Sequence, residues 1–286
     1  MRIGFIGAGK VGFSLGKFFA QGGIPVTGYY SRHRGSAQEA AHFTGTKPYT
    51  ALEALVRDSD ALLFTVPDGA ISSVFAQVRE MGLAGKQICH CSGAMTAWEA
   101  FPGGETFGAY YYSIHPLFPI SDRYIAYREL PGAFFCLEGE GPHLPWWETT
   151  LTGLGAQVKR IPSEGKVGYH AACAIASNLV CALAAESLAL LEACGFSQEQ
   201  GLAALAPLMQ ANLTHLLKKG PVEALTGAVE RGDRETVAKH LACLPDENAR
   251  TLYRTASLRL VSLAQKKHPE QSYQSMYDIL KEGLNP

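Results

Sequence analysis

Along the chain, the pattern of apolar and polar positions changes texture once. In the first half, short β-rich runs alternate with helical patterns. Strands are expected at Arg2–Ile6, Pro25–Tyr30, Ala61–Val66, Gln87–Cys91, Thr106–Ile114, Ala133–Glu138 and Gln157–Ile161. Helices are expected between them at Val11–Gln21, Ser36–Phe43, Ala51–Val56, Ile71–Met81 and from about Trp146 to Leu154. Continuous apolar strands separated by helices indicate a mainly parallel, doubly wound sheet covered on both faces. After Ile161 every periodic segment reads as helix. Ser163 is the expected N-cap of a run from Glu164 to Cys194. Ser197–Lys218, Pro221–Glu230, Arg234–Leu244, Asp246–Lys267 and Ser272–Lys281 follow, punctuated by Gly195, Gly220, Gly232 and Pro245. The expected organisation is an α/β domain over residues 1–162 and an all-helical domain over residues 163–286.

Composition narrows the partners. A chain of 286 residues is comfortable for two domains, and 47% hydrophobic residues can build a large core. With a formal net charge of −1 and no basic face, nucleic acid and anionic membrane surfaces are not expected partners; a small molecule is. Seven scattered cysteines argue against a secreted disulfide framework and for a reducing, cytoplasmic location. Gly7, Gly9 and Lys10 interrupt the first apolar run too early for a targeting segment. The long apolar stretch Ala171–Ala193 is broken by Ser177, Asn178, Glu186 and Ser187, so a buried core helix is expected rather than a membrane span. Cys89 and Cys91 share one face of their strand with His90 on the other, a poor tetrahedral set, so no metal site is expected.

Gly7-Ala8-Gly9-Lys10-Val11-Gly12 fits G-x-G-x-x-G in the context that gives the motif meaning, after a strand and at the start of a helix. Gly7 permits the tight turn, Gly9 lets backbone approach a pyrophosphate, and Gly12 lets helix and strand pack closely. The helix N-terminus then offers free N–H groups and a positive dipole to phosphates. This is a Rossmann dinucleotide site. An NAD site carries an acid about 20 residues on, to bond the ribose 2′-hydroxyl. Here the second strand ends Tyr29-Tyr30-Ser31-Arg32-His33-Arg34, and no carboxylate occurs until Glu39. Ser31 can donate to a 2′-phosphate, Arg32 can pair with it bidentately, and Arg34 is a candidate second clamp, so the expected cofactor is NADP(H). Val66 and Pro67, at the end of a later strand, are expected to line its crevice, with Asp68 as a helix cap.

Candidate chemistry gathers at further strand and helix ends. Ser92-Gly93-Ala94 and Ser113-Ile114-His115-Pro116 follow two strands, and Ser92, Gly93 and Ser113 are candidate substrate contacts. Lys166, His170, Cys173 and Ser177, spaced by four, three and four, fall on one helical stripe, adding Ser177 to that set. Reduction of C=O or C=N needs a proton donor and, for an acidic substrate, a cation. Lys166, whose pKa partial burial lowers toward neutrality, His170 and His115 are the candidate catalytic residues. Which one donates the proton stays open.

Together IGFIGAGKVG, GYYSR, TVPD, HCSGA, SIHPL, EGKVGYHAACAIASN and the segment Ala224–Leu241 resemble an uncharacterised group of Rossmann-like oxidoreductases with a C-terminal helical domain of unknown function. That group is similar in architecture to pyrroline-5-carboxylate reductases, 6-phosphogluconate dehydrogenases and β-hydroxyacid dehydrogenases. The resemblance implies a helical domain of the 6-phosphogluconate-dehydrogenase C-terminal-like type, NADP binding and dimerisation through that domain. Lys166 matches the catalytic lysine of the latter two families, but His170 stands where their asparagine would be, which leaves the substrate class open. SIHPL is similar to the His-Pro segment of prephenate dehydrogenases, whose histidine is catalytic, and this carries the role to His115. The expected function is NADP-dependent hydride transfer to or from a small, anionic carbonyl, alcohol or imine substrate in the cleft between the domains. The alternative is a non-enzymatic NADP(H)-binding redox sensor or regulatory protein.

Overall fold

The computed structural model describes residues 1–284. Eight strands form one sheet: β1 Ile3–Ile6, β2 Val26–Tyr30, β3 Lys47–Tyr49, β4 Ala61–Phe64, β5 Gln87–His90, β6 Tyr110–Leu117, β7 Phe134–Gly139 and β8 Gln157–Arg160. Their spatial order is β3-β2-β1-β4-β5-β6-β7-β8, parallel throughout except for the antiparallel β6–β7 pair. Helices α1 Lys10–Gln21, α2 Arg34–Thr44, α3 Leu52–Asp58, α4 Asp68–Val78, α5 Ala97–Ala100 and α6 Leu144–Gly153 connect them. Alternation within β4 explains the unbroken apolar run: Ala61 and Leu63 join one buried cluster and Leu62 and Phe64 the other. Both sheet faces are covered, as a parallel sheet requires. The order reverses direction between β1 and β4, and in such sheets ligands bind outside the carboxyl ends of the strands at that switch point.

The chain divides into two compact units, Met1–Ala176 and Ser177 onward. The secondary structure changes from strand to helix after Arg160, but helix α7, Lys166–Ala176, still belongs to the first unit. The second unit comprises α8 Asn178–Ala193, α9 Gln198–Ala224, α10 Ala228–Arg231, α11 Arg234–Cys243, α12 Glu247–Lys267 and α13 Gln274–Lys281. Its own core gathers Val237, Leu241, Ala264, Met276 and Leu280. Capping residues set several starts: the Ser197 and Asp246 side chains accept from the backbone N–H three residues on, and Ser197 and Gln200 form a capping box.

Several boundaries differ from the sequence pattern for identifiable reasons. β6 begins at Tyr110, because Gly103 and Gly108, with φ of 73° and 65°, bracket a 3₁₀ turn over Gly104–Phe107. The expected helix Glu164–Cys194 is interrupted at Ser177, whose φ of −123° and ψ of −74° separate α7 from α8. Pro162, not Ser163, precedes the first turn, and the Ser163 hydroxyl donates instead to Glu138 at 2.7 Å. Beyond Lys218 the helix continues through a kink at Gly220 (φ 78°) to Ala224, and the expected Pro221–Glu230 helix is divided between that extension and the short α10, Ala228–Arg231.

The stretch Ser163–Ala193 is long and apolar enough to cross a membrane by length and composition, with a hydropathy of 1.8 in its most apolar window. The expected core burial of this stretch is not found in the single chain: α8 has no buried residue. On α8 and α9, Leu179, Leu183, Leu208, Leu213 and Leu217 are all exposed, Leu217 to 77%.

Candidate functional site

At Gly7 and Gly12 the glycine loop has the packing mechanics that its sequence predicts. Gly7 has φ of 113°, and a Cβ there would stand 2.6 Å from the Thr65 carbonyl oxygen. A Cβ on Gly12 would meet Thr65 Oγ1 at 2.6 Å and the Gly7 carbonyl at 2.7 Å, so this glycine is required by helix–strand contact. Thr65 Oγ1 donates to the Gly7 carbonyl at 2.9 Å and ties the two loops together. Gly9 is different. A Cβ there would meet no protein atom nearer than the Thr65 oxygen at 4.0 Å. Nothing in the protein demands a glycine at position 9, and the space above it belongs to a cavity of about 410 Å³. Gly9, Lys10, Val11, Thr65, Val66, Pro67, Asp68, Cys91, Ser92 and Ile120 line it. The start of α1 carries no side-chain cap and no acid in its first turn, so its N–H groups and dipole face this cavity uncompensated. Ala8 is buried behind the loop.

Ser31, Arg32 and Arg34 follow β2 and are not among the cavity-lining residues. Arg34 is the first residue of α2, which also lacks a side-chain cap and an early acid. Neither arginine pairs with a carboxylate among the described residues. Asp68 does not cap α4, as the sequence reading expects. It is the first helical residue, and its carboxylate accepts from Ser92 Oγ at 2.7 Å.

Ser92 anchors the loop after β5. Its Oγ accepts from the N–H groups of Ala94 and Met95, at 3.2 and 3.1 Å, and its own N–H donates to His90 Nδ1 at 3.1 Å. His90 is fully buried, and burial pushes its pKa down to about 3, so it serves here as a neutral acceptor. Ser113 Oγ donates to the Ser92 carbonyl at 3.2 Å and is itself the acceptor for the Lys166 ammonium. Lys166 is 0% exposed and does not line the cavity; it reaches the loop only through Ser113 and Ser92. Burial lowers its pKa, and the nearby Glu138 carboxylate opposes that shift without forming an ion pair. Glu138, also buried, is held by the Ala97 N–H at 2.9 Å and by Ser163.

Two histidines converge over Gly93. A Cβ there would stand 2.6 Å from His170 Nδ1 and 2.9 Å from His115 Nε2. The His115 ring meets the Tyr169 hydroxyl through Nδ1 at 2.7 Å. Burial, then the charges of Lys166 and His170, push the His115 pKa down to about 4. Burial, followed by a hydrogen bond to Cys136, drives that of Tyr169 far above the ordinary phenol value. Lys166, His115, His170, Ser92, Gly93 and Ser113 are thus brought into one connected region of the first unit. Ser177 belongs to the second unit, at the break before α8, where its hydroxyl donates to Asn178 Oδ1 at 3.1 Å. The single polar stripe expected over Lys166–Ser177 therefore ends one residue short of Ser177. Sequence reasoning missed Tyr169 and Glu138. Tyr169 sits between stripe positions, and Glu138 ends a strand that carries no other polar signal.

Residues 1–116 match the family model of a Rossmann-like domain, and residues 133–260 match that of a domain of unknown function, DUF2520. The two matches come in that order along the chain, the pairing that the sequence resemblance implies. It is similar in fold to protein TM1727 from Thermotoga maritima, at 25% identity and a TM-score of 0.72, covering 93% of this chain and 99% of that one. It is likewise similar to protein BF3122 from Bacteroides fragilis, at 22% identity and a TM-score of 0.67, covering 91% and 98%. A reductive aminase from Aspergillus terreus, solved with NADPH and ethyl-5-oxohexanoate, shares the fold at 17% identity and a TM-score of 0.61, covering 98% and 92%.

Proposed function

We propose that the protein is an NADP(H)-dependent oxidoreductase that transfers a hydride to or from a small, anionic substrate. The observation that carries the reading is Gly9. It is a glycine without a packing reason, placed where an uncapped helix start meets a cavity at the switch point of the sheet. The α1 N–H groups would hold the pyrophosphate, Val66 and Pro67 would wall the cofactor, and Ser31, Arg32 and Arg34 would receive the 2′-phosphate. That a reductive aminase of the same fold was solved with NADPH supports a cofactor of this kind. When bound, the nicotinamide supplies or accepts the hydride. This chain's residues position and protonate: Lys166 orders Ser113 and, through it, the Ser92–Gly93 backbone, while His115 and His170 bring their ring nitrogens up against Gly93. The buried lysine also favours a negatively charged substrate.

Fluorescence titration tests the cofactor. NADPH is expected to bind at least about tenfold more tightly than NADH, and Arg32→Glu is expected to abolish the difference, since a charge-assisted pair is typically worth about tenfold or more. Equal affinities in the wild type would remove the NADP assignment, and binding of neither would remove the oxidoreductase reading.

The functional unit is proposed to be a homodimer assembled through the helical domain. The support is the exposed apolar face of α8 and α9, which a second copy would cover. Light scattering is expected to give a dimer for the wild type and a monomer for the double variant Leu183→Glu, Leu217→Glu. A wild-type monomer at micromolar concentration would overturn the assembly.

A further inference from the structure

Resting on the cofactor reading above, we propose that residues 118–125 form a strap that closes the dinucleotide cavity, with Ile120 as its contact to the cofactor and Glu39 as the anchor that holds it in place. The argument begins with a loop longer than its ends require. β6 and β7 are antiparallel neighbours, which about two residues can join. Here residues 118–133 join them. Long connections of little regular structure are costly to order and are mostly functional where they are ordered. The strap falls between the two matched family regions, of which one ends at residue 116 and the other begins at residue 133.

Its path is specific. β1, β4, β5 and β6 run parallel, so the loop leaves the sheet at the end where the glycine loop lies. Half-buried Ile120 lines the cavity together with Gly9, Lys10 and Val11. The other lining residues follow β1, β4 and β5 directly, whereas Ile120 is brought in by the strap. The chain then docks on α1 and α2. The Arg123 guanidinium lies over Phe13 of α1, 4.8 Å from the ring centroid, and over Tyr124 at 4.9 Å. Tyr124 stands edge-on to Phe13 and to Phe43 of α2, at 5.5 and 5.4 Å. The Ser14 hydroxyl donates to the Arg123 carbonyl at 3.4 Å, and Asp122 Oδ1 accepts from the Tyr124 N–H at 2.7 Å. Glu39 of α2 gathers both side chains: its Oε1 accepts from Arg123 Nη2 at 2.9 Å and from the Tyr124 hydroxyl. The first carboxylate after β2 is thus engaged by the strap, on the helix that opens with Arg34 of the proposed 2′-phosphate clamp.

The α1 N–H groups that face the cavity have no side-chain cap, and water there screens them from a phosphate. An apolar side chain held at the cavity excludes part of that water and adds its own buried area. Ser31, Arg32 and Arg34 do not line this cavity, so the strap serves the part of the dinucleotide that NADPH and NADH share. Glu39 acts through the strap and is a positioning residue.

Stopped-flow displacement and fluorescence titration of the full-length protein read the strap without turnover. Ile120→Ala is expected to raise the dissociation rates of NADPH and NADH alike, by about fivefold, with the melting temperature within about 1–2 °C of the wild type. Glu39→Ala releases the anchor and is expected to weaken both cofactors by about threefold or more. The sign is decisive: if Glu39 were only a charge near the 2′-phosphate, its removal would tighten NADPH and leave NADH unchanged. Trypsin cleavage after Arg123 is mapped by mass spectrometry. NADPH at about ten times its wild-type Kd is expected to slow it about tenfold in the wild type and only about threefold in Ile120→Ala. An unchanged dissociation rate in either variant, tighter NADPH binding by Glu39→Ala, or cleavage indifferent to NADPH would each overturn the strap. Failure of the wild type to bind NADPH would instead remove the cofactor reading beneath it.

Discussion

Lys166→Met is expected to lower turnover about 100-fold or more while the melting temperature holds or rises, an effect of the size seen when a preorganised electrostatic contact is removed. The two halves of this expectation have one cause. Lys166 is fully buried, burial lowers its pKa, and no carboxylate of a described residue forms an ion pair with it. Holding an ammonium there opposes folding, and an apolar side chain of similar volume relieves that cost. What is lost is the donor to Ser113 and the positive charge beneath the Ser92–Gly93 backbone. Stopped-flow rates, NADPH titration and thermal melts on the same protein separate these effects. Ser113→Ala breaks the same link without changing the buried charge, and is expected to show a smaller fall in rate. Lys166→Met with wild-type turnover would end the assigned role.

The glycine loop supplies the second large effect, because two of its glycines fail in different ways. Gly7→Ala is expected to destabilise the first unit by about 3 kcal/mol, from a strained positive φ and a backbone collision combined. The new Cβ would lie 2.6 Å from the Thr65 carbonyl oxygen, and relieving that contact stretches the hydrogen bond from Thr65 Oγ1 and the one from Gly7 N–H to Tyr30. For a chain of this size the melting temperature should fall by roughly 6–12 °C. Gly9→Ala meets open space instead, so its melting temperature should stay within about 1–2 °C of the wild type. It should nevertheless cost about tenfold or more in NADPH affinity, since the methyl group occupies the phosphate's approach. Wild-type NADPH affinity in Gly9→Ala would show that the pyrophosphate lies elsewhere.

The parts legible in the sequence were those that local chemistry decides. The glycine loop, the apolar strands and the change to helices after residue 161 all follow from side-chain type and spacing. β3 was not legible, because Lys47-Pro48-Tyr49 has no apolar alternation and pairs only at the sheet edge. The antiparallel turn of β7 was not legible either, since strand direction depends on the path of the chain and not on strand composition. At the site, the residue types were right but their relations were not. A helical stripe places Lys166 and His170 on one face, yet it cannot reveal that the lysine is sealed beneath Ser113 while the histidine stays exposed. Tyr169 was hidden for a related reason: its partner His115 lies on a strand 54 residues away. The apolar character of α8 was plain, but periodicity reports how much surface wants cover and not what supplies it.

The pairing of β6 with β7 bears on how such a chain could be cut or recombined. The match to the domain of unknown function begins at residue 133, yet β7 pairs with β6 from Tyr112↔Gly139 to Leu117↔Phe134, and β8 pairs with β7 in turn. A fragment that began at 133 would carry two strands stripped of their neighbour, and the remainder would end on a raw β6 edge ready to pair with another molecule. The boundary of the matched family region and the boundary between the two compact units, at Ser177, thus fall at different places in the chain. An exchange of the helical half between relatives would have its least disruptive junction at the bend of Ser177, where the backbone is already non-helical and the sheet is complete.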